Sequence, residues 1–372
     1  MDDLVLRHAL FHLRLFGDYK MNIKSLLLGS AAALAAVSGA QAADAIVAAE
    51  PEPMEYVRVC DAFGTGYFYI PGTETCLKVG GRVRFDAAYG SAYSPDADGL
   101  YTNSRAELYL STASDTEMGT LKTNLTARFD YDPHNPSYGY EENTRTRLMV
   151  ATIELGGFAV GLQDSLYESF IDYAGNVDSD DVINYGPSEV NMVAYTYKGG
   201  NGFSAFAALE DDGQNDNDTA GGASDWPNVA AGLKYDTGNF MVGVTGGYDE
   251  SVEEGAVKAR VGGKFGAFTA FLMGGWNSDG DSFNSYAPEI IDGFGWGDWA
   301  VWGGAGYEFN EDLAANMQVS YSDSDVLSAV ANLQWTPIQG FLIQPEVAYT
   351  KWNNATLDDE AWSGLLRFQR TF

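Results

Sequence analysis

The last eleven residues, Trp362 to Phe372, read W-S-G-L-L-R-F-Q-R-T-F, and few architectures can use such an ending. Trp362, Gly364, Leu366, Phe368, Arg370 and Phe372 share one parity, and Ser363, Leu365, Arg367, Gln369 and Thr371 share the other. Successive side chains of an extended chain point to opposite faces. The segment is therefore a strand with one mostly apolar and one mostly polar side, about long enough to cross a bilayer at a tilt. An exposed terminal aromatic suits a closed membrane barrel, whose last strand pairs with its first and leaves no edge. Trp362, Phe368 and Phe372 are expected to mark the strand through which such a barrel is assembled.

The other end of the sequence points the same way. Met21-Asn22-Ile23-Lys24 is a short basic start, and Leu26 to Val37 is an apolar run too short to span a membrane. Ala40-Gln41-Ala42 supplies the small residues of a cleavage site, so 21–42 reads as a secretory signal peptide cut between Ala42 and Ala43. Residues 1–20, with Asp2, Asp3 and Asp18, have no role in such a signal and read as an over-called extension ahead of a true start at Met21. No other segment offers the roughly 18 apolar residues that a helical span requires.

Composition narrows the class. Aromatic residues make up 13% of the chain, Gly occurs 43 times, and the net charge is −31. Residues 1–42 hold four of the 21 basic and three of the 52 acidic residues, leaving 17 against 49 and a net of −32 after cleavage. So acidic a chain has no basic surface for phosphate, which argues against a nucleic-acid partner. Mean hydropathy is only −0.18, but a barrel that alternates lipid-facing with lumen-facing residues dilutes its apolar face and escapes that index. Cys60 and Cys76 fall in a segment 43–76 that reads as periplasmic. In an exported chain such a pair favours a disulfide over a metal site or a catalytic thiol.

Strand-like alternation recurs along 77–372. In Leu77–Tyr89 the odd positions are Leu77, Val79, Gly81, Val83, Phe85, Ala87 and Tyr89, against Lys78, Arg82, Arg84 and Asp86 on the even ones. The same pattern holds at 120–131, 313–321 and 341–350. Continued through the chain it gives about sixteen strands, starting near 77, 103, 119, 144, 157, 191, 203, 228, 240, 257, 268, 299, 313, 328, 341 and 362. Residues 144–155 switch parity midway. Short links such as Gly156-Gly157, 198–202, 236–239 and 310–312 read as periplasmic turns, and long ones at 132–143, 211–227 and 278–298 as external loops. Tyr131, Tyr195, Tyr235, Tyr248, Trp299, Trp302 and Tyr349 gather near strand ends, as an interfacial girdle would. The fold expected is all-β: a transmembrane antiparallel barrel of about sixteen strands with an internal constriction loop.

That loop follows the fifth strand. Residues 165–190 mix Leu166, Tyr167, Phe170, Ile171, Tyr173, Val182, Ile183 and Tyr185 with acids, more apolar side chains than a solvated loop needs. Two arrangements fit: an external loop covering a neighbouring subunit, or a loop folded into the lumen. The second is preferred, with Asp164, Glu168, Asp172, Asp178, Asp180 and Asp181 lining a narrowed pore, since charged rings set ion selectivity. Lys78, Arg82, Arg84, Arg105 and Arg128 have lumen parity, Arg145 and Arg147 open the fourth strand, and together they would form a basic wall. A lipid-facing Arg at mid-depth costs about 2–4 kcal/mol, so a row of them belongs inside. Local pairing with Asp86, Glu107 and Asp130 fits each arginine equally well.

Chemistry is poorly provided for. After cleavage His134 is the one histidine left, which disfavours a Ser-His or Cys-His nucleophile and rules out a multi-His metal site within one chain. Neither catalytic residues, nor a metal site, nor a cofactor is expected. The Asp and Asn spacing of 211–225 lacks the full twelve-residue pattern of a calcium loop and reads as a solvated loop.

Several segments together resemble the alphaproteobacterial general porins of the Brucella and rhizobial type. They are M-N-I-K-S-L-L-L-G-S-A-A-A-L at 21–34, Y-V-R-V-C-D-A-F-G-T-G-Y-F-Y-I-P-G-T-E-T-C-L-K-V-G-G at 56–81, G-G-N-G-F-S-A at 199–205, G-D-W-A-V-W-G-G-A at 297–305 and the terminal R-F-Q-R-T-F. The resemblance spans Met21 onward. It implies a sixteen-stranded trimeric barrel in the outer membrane of a Gram-negative bacterium, with an internal loop after the fifth strand, passing small hydrophilic solutes without catalysis. Implied partners are outer-membrane lipid and lipopolysaccharide, the barrel-assembly machinery and two further copies of the chain. Arg370 departs from the apolar residue that many barrels carry third from the end; near the interface it can snorkel. The acidic balance leads to an expected weak cation preference. The alternative is a solute-specific, sugar-type channel, for which Tyr109, Phe206 and Phe271 have lumen parity but sit on separate strands.

Overall fold

Alternation makes strands here, and pairing every strand on both sides closes them. The computed structural model describes residues 58–93, 99–133, 144–211, 226–280, 284–288, 295–353 and 358–372. The signal segment with Ala42 and Ala43, the extension 1–20, His134 and the acidic stretch 212–225 lie outside the described residues. A short strand β1 (Tyr67–Tyr69) precedes sixteen long ones. These are β2 (Cys76–Tyr89), β3 (Leu100–Thr116), β4 (Gly119–Tyr131), β5 (Thr144–Leu155), β6 (Phe158–Gln163), β7 (Val190–Lys198), β8 (Phe203–Glu210) and β9 (Asn228–Asp236). They continue with β10 (Phe240–Asp249), β11 (Glu254–Phe265), β12 (Phe268–Asn277), β13 (Trp299–Asn310), β14 (Leu313–Ser322), β15 (Val326–Ile338), β16 (Phe341–Asn353) and β17 (Asp358–Thr371). Each pairs antiparallel with the next, and β17 pairs back onto β2, with Gly364 opposite Tyr89 and Thr371 opposite Arg82. Among the described residues no helix is long and apolar enough to cross a membrane.

The observed strands begin within a few residues of the expected starts. The parity switch in 144–155 has a physical cause. The β4–β5 register shifts between Thr126 and Ala127, pairing Thr126 with Val150 and Ala127 with Leu148. Met149 is the extra residue of a β-bulge, and one extra residue flips every later side chain to the other face. Two-residue turns at the opposite end need special backbone. Gly156 (φ 59°) and Gly157 (φ 95°), which join β5 to β6, both lie in the left-handed region that a tight primed turn demands.

The apolar parity faces outward. Val83, Phe85, Val257, Leu272, Trp276, Val301, Met317, Val347 and Trp362 are all exposed, while their inward neighbours Arg367, Lys258, Gln318 and Glu346 are buried. So many exposed large apolar side chains in a continuous band suit lipid, not water. Tyr131, Tyr195, Tyr235, Tyr248 and Trp299 belong to that outer surface. Trp302 does not. It points into the lumen and is fully buried, so its place near a strand end misled the girdle reading.

The apolar core is therefore inside the barrel, where the connection between β6 and β7 folds in. Tyr167, Ile171, Val182, Ile183 and Tyr185 of that loop cluster with Phe206, Met273, Trp296 and Trp302. At the end carrying the short turns, η1 (Asp61–Phe63) and β1 form a small cap. Cys60 and Cys76 are joined by a disulfide, which ties this cap to the first residue of β2.

Candidate functional site

The loop crosses the lumen because its polar backbone finds partners there. Ser165 starts a one-turn helix, α1 (Leu166–Ser169), by accepting from the Tyr167 N–H at 3.1 Å, and its hydroxyl donates to Glu210 of β8 at 2.7 Å. Thr245 of β10 donates to the Tyr167 carbonyl at 3.1 Å, and Lys258 of β11 donates to the Tyr185 carbonyl at 2.7 Å. Further along, Asn332 of β15 donates to the Asn176 carbonyl at 2.8 Å. The Glu346 carboxylate of β16 accepts from the N–H groups of Asp178 and Ser179 at 2.7 and 2.8 Å. The chain then returns, with Trp302 of β13 donating to the Ile183 carbonyl at 3.0 Å and Gln318 of β14 to the Tyr185 hydroxyl at 2.7 Å. Buried carbonyls and N–H groups left unpaired would each cost about 1–3 kcal/mol, so these contacts decide the loop's path.

A second connection braces the first. Tyr286 packs edge-on against Tyr167 at 5.0 Å between ring centroids and donates to Glu210 at 3.0 Å. Trp296 donates to the Asn184 carbonyl at 2.6 Å and packs edge-on against Trp302. Glycines make room for these rings. A Cβ at Gly247 would lie 2.3 Å from the Tyr286 ring, one at Gly275 2.2 Å from Trp296, and one at Gly243 2.4 Å from Ile171.

The acids of the loop occupy different surroundings. Asp172, with φ 65°, keeps more than half of its side chain exposed and meets Arg260 at 3.5 Å. Asp178 is held by both Nη atoms of Arg367, which also binds Asp86 at 2.7 and 2.9 Å. Asp164 accepts from the Tyr173 hydroxyl at 2.5 Å, Asp180 from Tyr185 at 2.8 Å, and Asp181 from Tyr93. Burial lifts the pKa of Asp180 well above the ordinary range, with the Asp181 charge adding to it, and burial raises Asp181 as well. Glu168 is almost wholly buried beside Lys258. Burial lifts its carboxyl strongly, and the lysine's charge opposes that only in part.

On the other side, arginines of β2–β5 share three carboxylates of the same wall. Arg82 and Arg128 both bind Glu107, at 2.5 and 2.7 Å; Arg105 binds Asp130 at 2.5 Å; Arg84 lies 3.2 Å from Asp86. Arg145 stands opposite Asp130 in the β4–β5 ladder, and Arg147 binds Glu189 at the loop's return. Lys78 sits apart, 5.8 Å from the Tyr67 ring centroid in the cap. Cations also line the wall behind the loop, at Lys234, Lys258, Arg260 and Lys264. The residues that join loop to wall, Arg367, Glu346, Glu189 and Lys258, were not singled out from the sequence. Parity puts Arg367 and Glu346 inward, but only the folded loop supplies their partners.

The barrel has counterparts among known proteins. The model of the porin subfamily matches residues 44–365. The chain belongs to that family. Porin Omp2b of Brucella suis is 45% identical over 369 residues, covering 95% of this chain and all of the relative. Among solved structures, the outer-membrane channel DcaP of Acinetobacter baumannii superposes with a TM-score of 0.63 at 17% identity, covering 82% of this chain and 99% of that one. An anion-selective porin from Comamonas acidovorans gives 0.56 at 12% identity, covering 80% and 100%. At such identities the structures speak for the fold alone. Family and fold together make this porin an outer-membrane channel and not an enzyme.

Proposed function

We propose that this porin is a passive, water-filled pore for small hydrophilic solutes and ions, narrowed where residues 164–189 cross the lumen, with a weak preference for cations. The observation that carries the reading is the fixed path of that loop, pinned to inward side chains of β8 to β17 by direct hydrogen bonds. The free passage then runs between the loop's acids and the arginines of β2–β5. Glu107, Asp86 and Asp130 offset three of those six arginines and Glu189 of the loop takes a fourth, so the wall's remaining positive charge is smaller than the negative charge of the loop's six acids. Tyr109, Phe206 and Phe271 do not extend a sugar track. Phe206 lies under Phe170, Arg260 covers Phe271, and the Tyr109 hydroxyl is committed to Glu107.

A homotrimer belongs to the same proposal. Thr102, Ser104, Thr112, Thr123 and Thr146 lie on the outward parity of three adjacent strands, β3–β5, and Thr112 and Thr123 bond at 2.6 Å. Hydroxyls suit a protein contact better than hydrocarbon. The test is single-channel recording of the refolded mature chain with its reversal potential under a salt gradient. Conductance steps in threes with a cation-favouring reversal are expected. An anion-favouring reversal would sink the selectivity, and a folded barrel without conductance would sink the pore.

A further inference from the structure

Between the loop and the short-turn end of the barrel lies a cavity of about 450 Å³, bounded by loop residues 172–176 and by β9 to β14. It contains charges of both signs whose hydrogen bonding is incomplete. The Arg260 guanidinium lies 4.9 Å from the Phe271 ring centroid. Its two contacts are long, 3.5 Å to the Asp172 carboxylate and 3.4 Å to the Ala174 carbonyl, and its buried Nε has no partner. Among the described residues the Asp172 carboxylate has only this long contact; it projects from a left-handed backbone position and is mostly exposed. Asp236 accepts from the Gly238 N–H at 2.7 Å through one oxygen. Lys264, in contrast, is already bound to Glu308 at 2.9 Å. A guanidinium fork is shaped for a carboxylate, and an adjacent exposed carboxylate held by one long contact can take an ammonium.

We infer that this cavity is a solute subsite for small zwitterions, namely α-amino acids and short peptides, which bind with carboxylate on Arg260 and ammonium on Asp172. This rests on the channel reading above and adds a substrate class to it. An anion would meet Asp172 and Asp236, and a cation would meet Arg260 and Lys264; a zwitterion satisfies both signs at once. Strong binding would obstruct flux, so the site must hold its solute weakly enough to release it.

The test is flux of L-alanyl-L-alanine into liposomes carrying the full mature porin, set against a pentose sugar of similar mass. Dialanine should enter faster than the sugar and saturate, whereas the sugar should not saturate. R260K keeps the charge but loses the fork, and should raise the half-saturation concentration about tenfold, the worth of one charge-assisted hydrogen bond. R260Q and D172N should each remove saturation and return dialanine to the sugar's behaviour. Heat-modifiable migration checks that each variant is a folded barrel, and the two sites provide independent routes should one variant fail to fold. Linear, size-governed dialanine flux in the unaltered porin, or saturation unchanged in R260Q and D172N, would overturn the subsite while leaving the pore intact. Flux of neither solute would overturn the pore itself and the subsite with it.

Discussion

Arg367 illustrates how a single side chain can set the lumen's shape. It is only 6% exposed, and its guanidinium bridges Asp86 on the neighbouring strand and Asp178 in the loop. Removing one partner from a buried ion pair leaves the other charge uncompensated, at a cost of roughly 3–5 kcal/mol. R367Q is therefore expected to lower the barrel's thermal unfolding temperature and to free the loop near Asp178. Single-channel records should show more frequent partial closures and a lower threshold for voltage closure; a quiet trace would place the loop's anchoring elsewhere. A pH prediction belongs to the same scale. Burial raises the Asp180 and Asp181 carboxyls, so each binds its proton more tightly in the folded protein than in the unfolded chain. Ionising them therefore costs stability, and protonation restores it as pH falls through the raised folded values towards the ordinary value of about 3.9. Cation preference should decline over that same interval, before ordinary carboxylates titrate. D180N should flatten the change in reversal potential with pH, and an unaltered profile would remove Asp180 from the pore's electrostatics. Alternation assigned Arg367 to the polar side of its strand. Its pairing with Asp178 is a contact between positions 189 residues apart, which local sequence does not encode.

At the scale of elements, strands were the most legible part of the chain because one face meets lipid and the other water, leaving a period of two in the residue types. The starts of β4 and β5 fall at 119 and 144, as the alternation indicates. Even the bulge at Met149 was visible, as the parity switch within β5, although its cause needed the register. Trp302 shows the limit: a tryptophan near a strand end can serve the outer interface or the inner core, and only the loop against it decides. The loop's own position was readable from its excess of apolar residues, but its braces were not. Gly247 and Gly275 are sockets for Tyr286 and Trp296, a role that no local pattern reveals. G247V should force the Tyr286 ring away, at a cost of about 1–3 kcal/mol for overpacking. The displaced connection would no longer support Tyr167, so we expect protease cleavage within 284–288 and noisier conductance. Retained protease resistance would mean that the socket is not what holds the second connection.

For the whole molecule, closure is the property on which everything else depends, since an open edge within hydrocarbon leaves backbone groups without partners. The seam between β17 and β2 runs from Gly364 opposite Tyr89 to Thr371 opposite Arg82, and Phe372 extends it. The Phe372 N–H donates to the Gly81 carbonyl at 3.0 Å, and the Gly81 N–H donates to the Phe372 carbonyl at 2.9 Å. The Phe372 ring lies over Gly81, where a Cβ would come within 3.0 Å of it. Gly81 thus allows the terminal aromatic to lie flat across the seam on the lipid side. The same seam carries the pair that joins Arg367 to Asp86, so closing the barrel also positions the arginine that grips the loop. Deleting Phe372 removes two backbone hydrogen bonds and the covering ring, each bond worth about 1 kcal/mol, while leaving every inward side chain in place. The deletion should lower the yield and rate at which the heat-modifiable barrel forms in lipid, yet the channels that do form should conduct as the full chain does. Unchanged assembly would show that pairing up to Thr371 suffices for closure. Altered conductance would show that the seam's last residue also helps to set the lumen.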